Sequence, residues 1–265
     1  MDAPLAVAAA YFGALVVGFA AVATWETVGA ARAPRAPLRS RWTANLALLA
    51  VNHGVLPFLV PLSNAGAAWF AAGHGLGLFH AMEVPSLVAF TATLIILDGT
   101  RFALHRLFHQ VPWLWRLHRV HHSDVDFDLT VGLRFHPVEA LLVNAALVAV
   151  VLALGAPFWA VVASDALTIA HGLFAHGNVA LPPAVDRVLR RLVVTPAMHT
   201  THHSVERDEA GSNLGSVLPW WDHLFGTYRE RPRAGEAIVF GLDDERDAGR
   251  LGIARLLALP FAARR

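Results

Sequence analysis

The stretch Val138–Phe174, VEALLVNAALVAVVLALGAPFWAVVASDALTIAHGLF, decides the fold. It contains two apolar segments, Val138–Leu154 and Pro157–Phe174, joined at Gly155-Ala156-Pro157. A membrane-crossing helix needs about 20 mostly apolar residues, so the stretch reads as a hairpin of two spans. Working outward, Pro85–Leu104 is a further span, and Leu5–Trp25 and Trp42–Leu62 qualify upstream, the latter despite Asn52 and His53. Residues 63–80 are rich in Gly and Ala and suit a short re-entrant or interfacial piece. From Val185 onward the chain is rich in Arg, Asp and Glu and soluble in character.

Composition agrees. The 265 residues are 55% hydrophobic and only 15% charged, against about 25% charged in soluble domains. Net charge is +1, which supplies no field for nucleic acid. The absence of cysteine excludes disulfides, thiolate zinc sites, iron–sulfur clusters and c-type haem attachment. The N-terminus opens with Asp2 and has no basic leader region, so a retained first helix is expected rather than a cleaved signal. The expected fold is all-α: a membrane bundle of about four to five spans with a cytosolic helical cap. It reads as one domain, with N-terminal membrane helices over 1–97, a catalytic region over 98–230 and a cytosolic tail over 231–265.

Against this apolar background, eight of fifteen histidines fall in three clusters. His105 and His109 are one helical turn apart. His118, His121 and His122 repeat the H-x-x-H-H spacing of His199, His202 and His203. Concentrating imidazoles in an apolar protein is costly without partners, and a metal ion is their commonest specialised partner. If helical, each H-x-x-H-H block is expected to converge on one side. Eight nitrogen donors exceed the needs of one ion, so two ions are inferred. His171 and His176, at the end of the hairpin's second helix, raise the count to ten, against capping or interfacial roles for both. The loop between the first two spans carries Arg32, Arg35, Arg39 and Arg41 and is cytoplasmic by the positive-inside rule. Counting spans from there places all three clusters on the cytoplasmic face.

Asp98, seven residues before His105 on the same helix face, suits the role of accepting the far N–H of a ligating imidazole. Asp124 and His136 are further candidates for such supporting roles. His53 reads as a buried polar contact, His74 and His80 lie on the opposite membrane side, and His223 is surface or interfacial.

The run DGTRFALHRLFHQVPWLWRLHRVHHSD (98–124) resembles the central block of the fatty acid hydroxylase/sterol desaturase superfamily. RFHPVE (134–139), HGNVALP (176–182), TPAMHTTHH (195–203) and NLGSVLPWWDHLFGTY (213–228) resemble its later segments in order and spacing. The resemblance implies a di-iron centre that uses O2 to hydroxylate a lipid C–H bond, with electrons from a separate redox partner. Its ligands would be His105, His109, His118, His121, His122, His176, His199, His202 and His203, with His171 as a tenth. Imidazole suits iron, zinc, copper and nickel alike, so zinc can fill the same ligands on purification, and iron rests on the resemblance.

Three alternatives compete. A desaturase would use the same centre. A di-zinc hydrolase calls for a carboxylate base in an H-E-x-x-H arrangement, which the sequence lacks. A metal transporter would place ionisable ligands at mid-membrane, whereas these clusters follow helix ends. Which lipid is used is not written in the residues.

Overall fold

The structure, a computed structural model, describes residues 3–59 and 63–262. Helices follow one another as α1 (Ala3–Gly29), α2 (Leu38–Leu59), α3 (Asn64–His74), α4 (Leu78–Ala81), α5 (Ser86–Gln110), α6 (Pro112–His122), α7 (Pro137–Leu154) and α8 (Phe158–Ala175). Shorter helices complete the chain: α9 (Pro183–Leu189), α10 (Pro196–His202), α11 (Arg207–Ala210), α12 (Trp220–Phe225) and α13 (Ile253–Ala258). Among the described residues only isolated β-bridges occur, so the fold is all-α as expected. Among the described residues four segments are long and apolar enough to cross a membrane: Ala9–Gly29, Ser86–Gln110, Pro137–Leu154 and Phe158–Ala175. The span expected over Trp42–Leu62 coincides with α2 up to Leu59, and residues 60–62 lie outside the described residues.

The hairpin turns where its sequence indicates. Gly155 ends α7 with φ +64, a left-handed conformation that glycine adopts without steric cost. A side chain there would also lie 2.2 Å from the Leu76 carbonyl. Pro157 then caps the start of α8. α1 lies along α8, and its Gly18 admits Leu173 so closely that a Cβ would sit 3.1 Å from that side chain, as small residues permit between membrane helices. The Gly- and Ala-rich stretch forms α3, whose 11 residues span only about 16 Å and cannot cross a bilayer. Its Ala65, Ala67, Ala68 and Ala71 are buried, and the helix packs on α7 and α8.

One ion pair lies inside the bundle. Arg101 of α5 donates to Asp165 of α8 at 2.5 Å, and Asp165 also accepts from Tyr11 and Asn64. Four helices thus share one carboxylate, which answers the Arg101 charge within the apolar layer.

At the opposite end from the hairpin turn, a second polar network fixes the chain. Arg41, only 4% exposed, pairs with Asp124 at 2.6 Å and Asp128 at 2.7 Å. Arg134 donates to Asn45, Ser123 and the Val120 carbonyl. The backbone amides of Arg35 and Ala36 donate to Asp126. The arginine-rich loop, the end of α6 and the 123–134 segment are therefore bound together on one face. The segment expected as a tail packs into the same face: Leu242, Leu251, Leu256 and Leu259 join Ala44, Leu48 and Val120 in one buried cluster.

Candidate metal centre

Local sequence brings the first two histidine clusters together. Val111 closes α5 and opens α6, and Pro112 holds the first position of α6, where a missing N–H costs nothing and the fixed φ suits a helix start. The sharp joint turns α6 back toward the last turn of α5. The His105 and His118 Nε2 atoms then lie 3.1 Å apart. α10 supplies the third cluster and the end of α8 supplies His176.

Nine histidines gather in two groups. His105, His109, His118, His122 and His202 form one, and His121, His176, His199 and His203 form the other. In each group the ligand atoms lie within 4.8 Å of one another. The rings of each H-x-x-H-H block converge as expected, with centroids 5.0–5.3 Å apart in the first and 4.9–5.1 Å in the second, yet each block divides between the groups. His118 and His122 go to the first group and His121 to the second; His199 and His203 go to the second and His202 to the first. The reason is helical geometry. At about 100° per residue, the i and i+4 positions lie some 40° apart on one face, while i+3 sits on the other side of the first, about 100° from i+4.

Hydrogen bonds orient the rings. The Nδ1–H of His105 donates to the Leu214 carbonyl at 2.9 Å, that of His202 to Ser212 at 3.0 Å and that of His176 to Gly172 at 2.7 Å. His118 donates through Nδ1 to Glu139 Oε1 at 2.6 Å, both side chains being buried. Each such bond leaves Nε2 free to ligate. The Nε2 atoms of His109, His122, His202 and His203 are buried and have no protein partner, a state that costs about 1–3 kcal/mol per group unless something binds there. Burial, reinforced by neighbouring imidazoles, holds His121, His122, His199 and His203 well below the usual imidazole pKa and brings His202 down to about 3. Burial also lowers His176, to about 4. Neutral imidazole is the form that binds metal. Orphaned, neutral, nitrogen-only donors in two groups fit two ions of the iron, zinc, copper or nickel type.

Other histidines and acids singled out in the sequence lie outside both groups. His171 belongs to neither group: its Nε2–H donates to the Val194 carbonyl at 2.9 Å. Asp98 accepts from the Val217 and Leu218 amides and from Trp221 Nε1, so it holds the loop after Leu214 and touches no imidazole. Asp222 grips the same loop through the amides of Leu214 and Gly215. Asp124 answers Arg41 and Asn45. His136 caps α7 through the Val138 amide and donates to the Leu257 carbonyl. His53 bonds the Leu49 carbonyl of its own helix, His74 the Phe70 carbonyl, and His223 stacks on Tyr228. His80 lies against the hairpin turn at the far end.

Glu139 was not read from sequence as a site residue. Its signal is that it is the only acid in α7, a largely apolar helix, where a buried carboxylate demands a partner. The Leu214 and Ser212 carbonyls carry no sequence signal at all.

Residues 90–227 match the fatty acid hydroxylase family model, and the chain belongs to this family. It is 34% identical to ornithine lipid hydroxylase OlsE of Rhizobium tropici over 55% of this chain and 43% of that protein. It is 29% identical to human alkylglycerol monooxygenase over 55% of this chain and 31% of the relative. A cholesterol 25-hydroxylase-like protein of Danio rerio is 28% identical over 69% of this chain and 70% of its own length. The chain thus covers less than half of the first two relatives. No solved structure matches it.

Proposed function

We propose that this protein is a membrane-bound lipid hydroxylase whose nine grouped histidines hold two iron ions. The carrying observation is the pair of histidine groups, with buried, unpartnered nitrogens, at the ends of helices that can cross a membrane. Bound iron would supply the redox chemistry with O2 that an unactivated C–H bond requires, which zinc cannot. Electrons come from a separate donor. The relatives named as lipid hydroxylases and monooxygenases favour hydroxylation over desaturation.

The chain's own residues prepare the site. Glu139 keeps the proton on His118 Nδ1 and turns Nε2 inward, and backbone carbonyls do the same for His105, His202 and His176. Phe135 stacks on His121 at 4.6 Å and Phe127 lies 5.2 Å from His203, so apolar rings shield the second group from water. A lipid chain lying in the bilayer brings its reacting carbon toward the helix ends where the histidines cluster. The arginine loop binds to the same face as the histidines, which supports a cytoplasmic position for the site under the positive-inside rule.

Untargeted lipid mass spectrometry of cells with and without the protein tests this reading. A lipid that gains one oxygen atom is expected. Loss of two hydrogens instead would establish desaturation, and purified protein holding one ion or none would overturn the two-metal site.

A further inference from the structure

A cavity of about 350 Å³ adjoins the five-histidine group and not the other. His109, His122, Trp115, Val205 and Asp243 are among the residues that line it. The Trp115 ring is 5.1 Å from His109 and 5.4 Å from His122. Arg119 also lines it, buried and paired with Asp244, and its Nε has no partner. Arg207 and Asp243 line it and are exposed; ionised side chains at a mouth face water, because facing hydrocarbon would cost them several kcal/mol.

We propose that this cavity is an aqueous route by which hydrated metal ions reach the five-histidine group, separate from the bilayer path of the lipid. The inference rests on the two-metal reading. A divalent ion sheds its water only as ligands replace it, so it needs a polar approach. The outward surface of α5 offers exposed Ile95, Ile96 and Leu107 instead. His109 and His122, whose buried Nε2 atoms have no protein partner, are among the residues that line the cavity. No member of the four-histidine group lines it, so the ion held there exchanges more slowly.

The chain has no cysteine, so a single introduced thiol can be labelled selectively. Val205→Cys is suitable, because the Val205 backbone N–H, not its side chain, bonds the Val239 carbonyl. The full-length variant, loaded with cobalt, is treated with a membrane-impermeant sulfonated maleimide dye. Removal of metal by a hydrophilic chelator is then timed. The label is expected to slow loss of the faster ion by about tenfold, a barrier increase of about 1.4 kcal/mol. The same label on Arg187→Cys, exposed on α9 away from the cavity, leaves the rate unchanged. Gln110→Cys, an exposed lining residue, gives a second variant should the first not fold. Equal rates for cavity-labelled and Arg187-labelled protein would overturn the route, as would thiols the dye cannot reach. Unlabelled protein that takes up no metal would overturn the two-metal reading itself.

Discussion

The five-histidine and four-histidine groups share the same two H-x-x-H-H blocks, completed by His105 and His109 in one and by His176 in the other, but meet different surroundings. The first includes partly exposed His105 and His109, adjoins a cavity and receives a buried carboxylate through His118. The second is wholly buried, is held by the Gly172 carbonyl through His176, and is walled by Phe127 and Phe135. Its rings crowd: His176 Nε2 lies 3.2 Å from that of His121 and 2.9 Å from that of His199. Similar donors therefore form one group beside a cavity and one walled by aromatic rings.

Removing a ligand from either side should have the largest effect. His202→Ala and His121→Ala are each expected to abolish turnover and lower metal content, measured by lipid product and elemental analysis. Retention of both metal and activity in either variant would remove that histidine from the ligand set.

Acidification of the metal-free protein tests both groups together. His202 and His176 stay neutral in the fold down to about 3 and about 4, whereas in the unfolded chain they take up protons near pH 6.5. The unfolded state then binds more protons, so stability should fall as pH drops from about 6.5 toward about 3. Melting temperature against pH should show this decline, and bound metal should delay it to lower pH. A flat profile in metal-free protein would contradict buried neutral imidazoles.

Glu139→Gln sharpens the comparison, since the carboxylate reaches only His118. The expected result is a 10–100-fold weaker affinity at the five-histidine group, with the other ion retained, read by metal titration. Asp98→Asn should have the smallest effect, a few-fold loss at the same group, because Asp98 acts through the loop that presents the Leu214 carbonyl to His105. An Asp98 variant as damaging as His202→Ala would contradict that indirect placement.

Much of this was legible in the residues. Apolar length announced the spans at Pro85–Leu104 and Val138–Phe174, and Gly155-Ala156-Pro157 announced the turn, because bilayer thickness and backbone sterics act on local sequence. The histidine spacing announced metal. Asp98 was read by helix periodicity as facing His105, yet Trp221 and the 217–218 amides, more than a hundred residues away, take its oxygens. His171 was read as a tenth ligand, after His176, but it lies outside both groups and the Val194 carbonyl takes its Nε2–H.

The sequence by itself determined that this is a helical membrane protein with more imidazole nitrogens than one ion can use, since both follow from local composition and spacing. Only the tertiary structure decided how those imidazoles divide, that Glu139 stands behind His118, and which group adjoins the cavity. Those outcomes depend on how α5, α6, α8 and α10 abut, and contacts between distant segments leave no periodic trace along the chain.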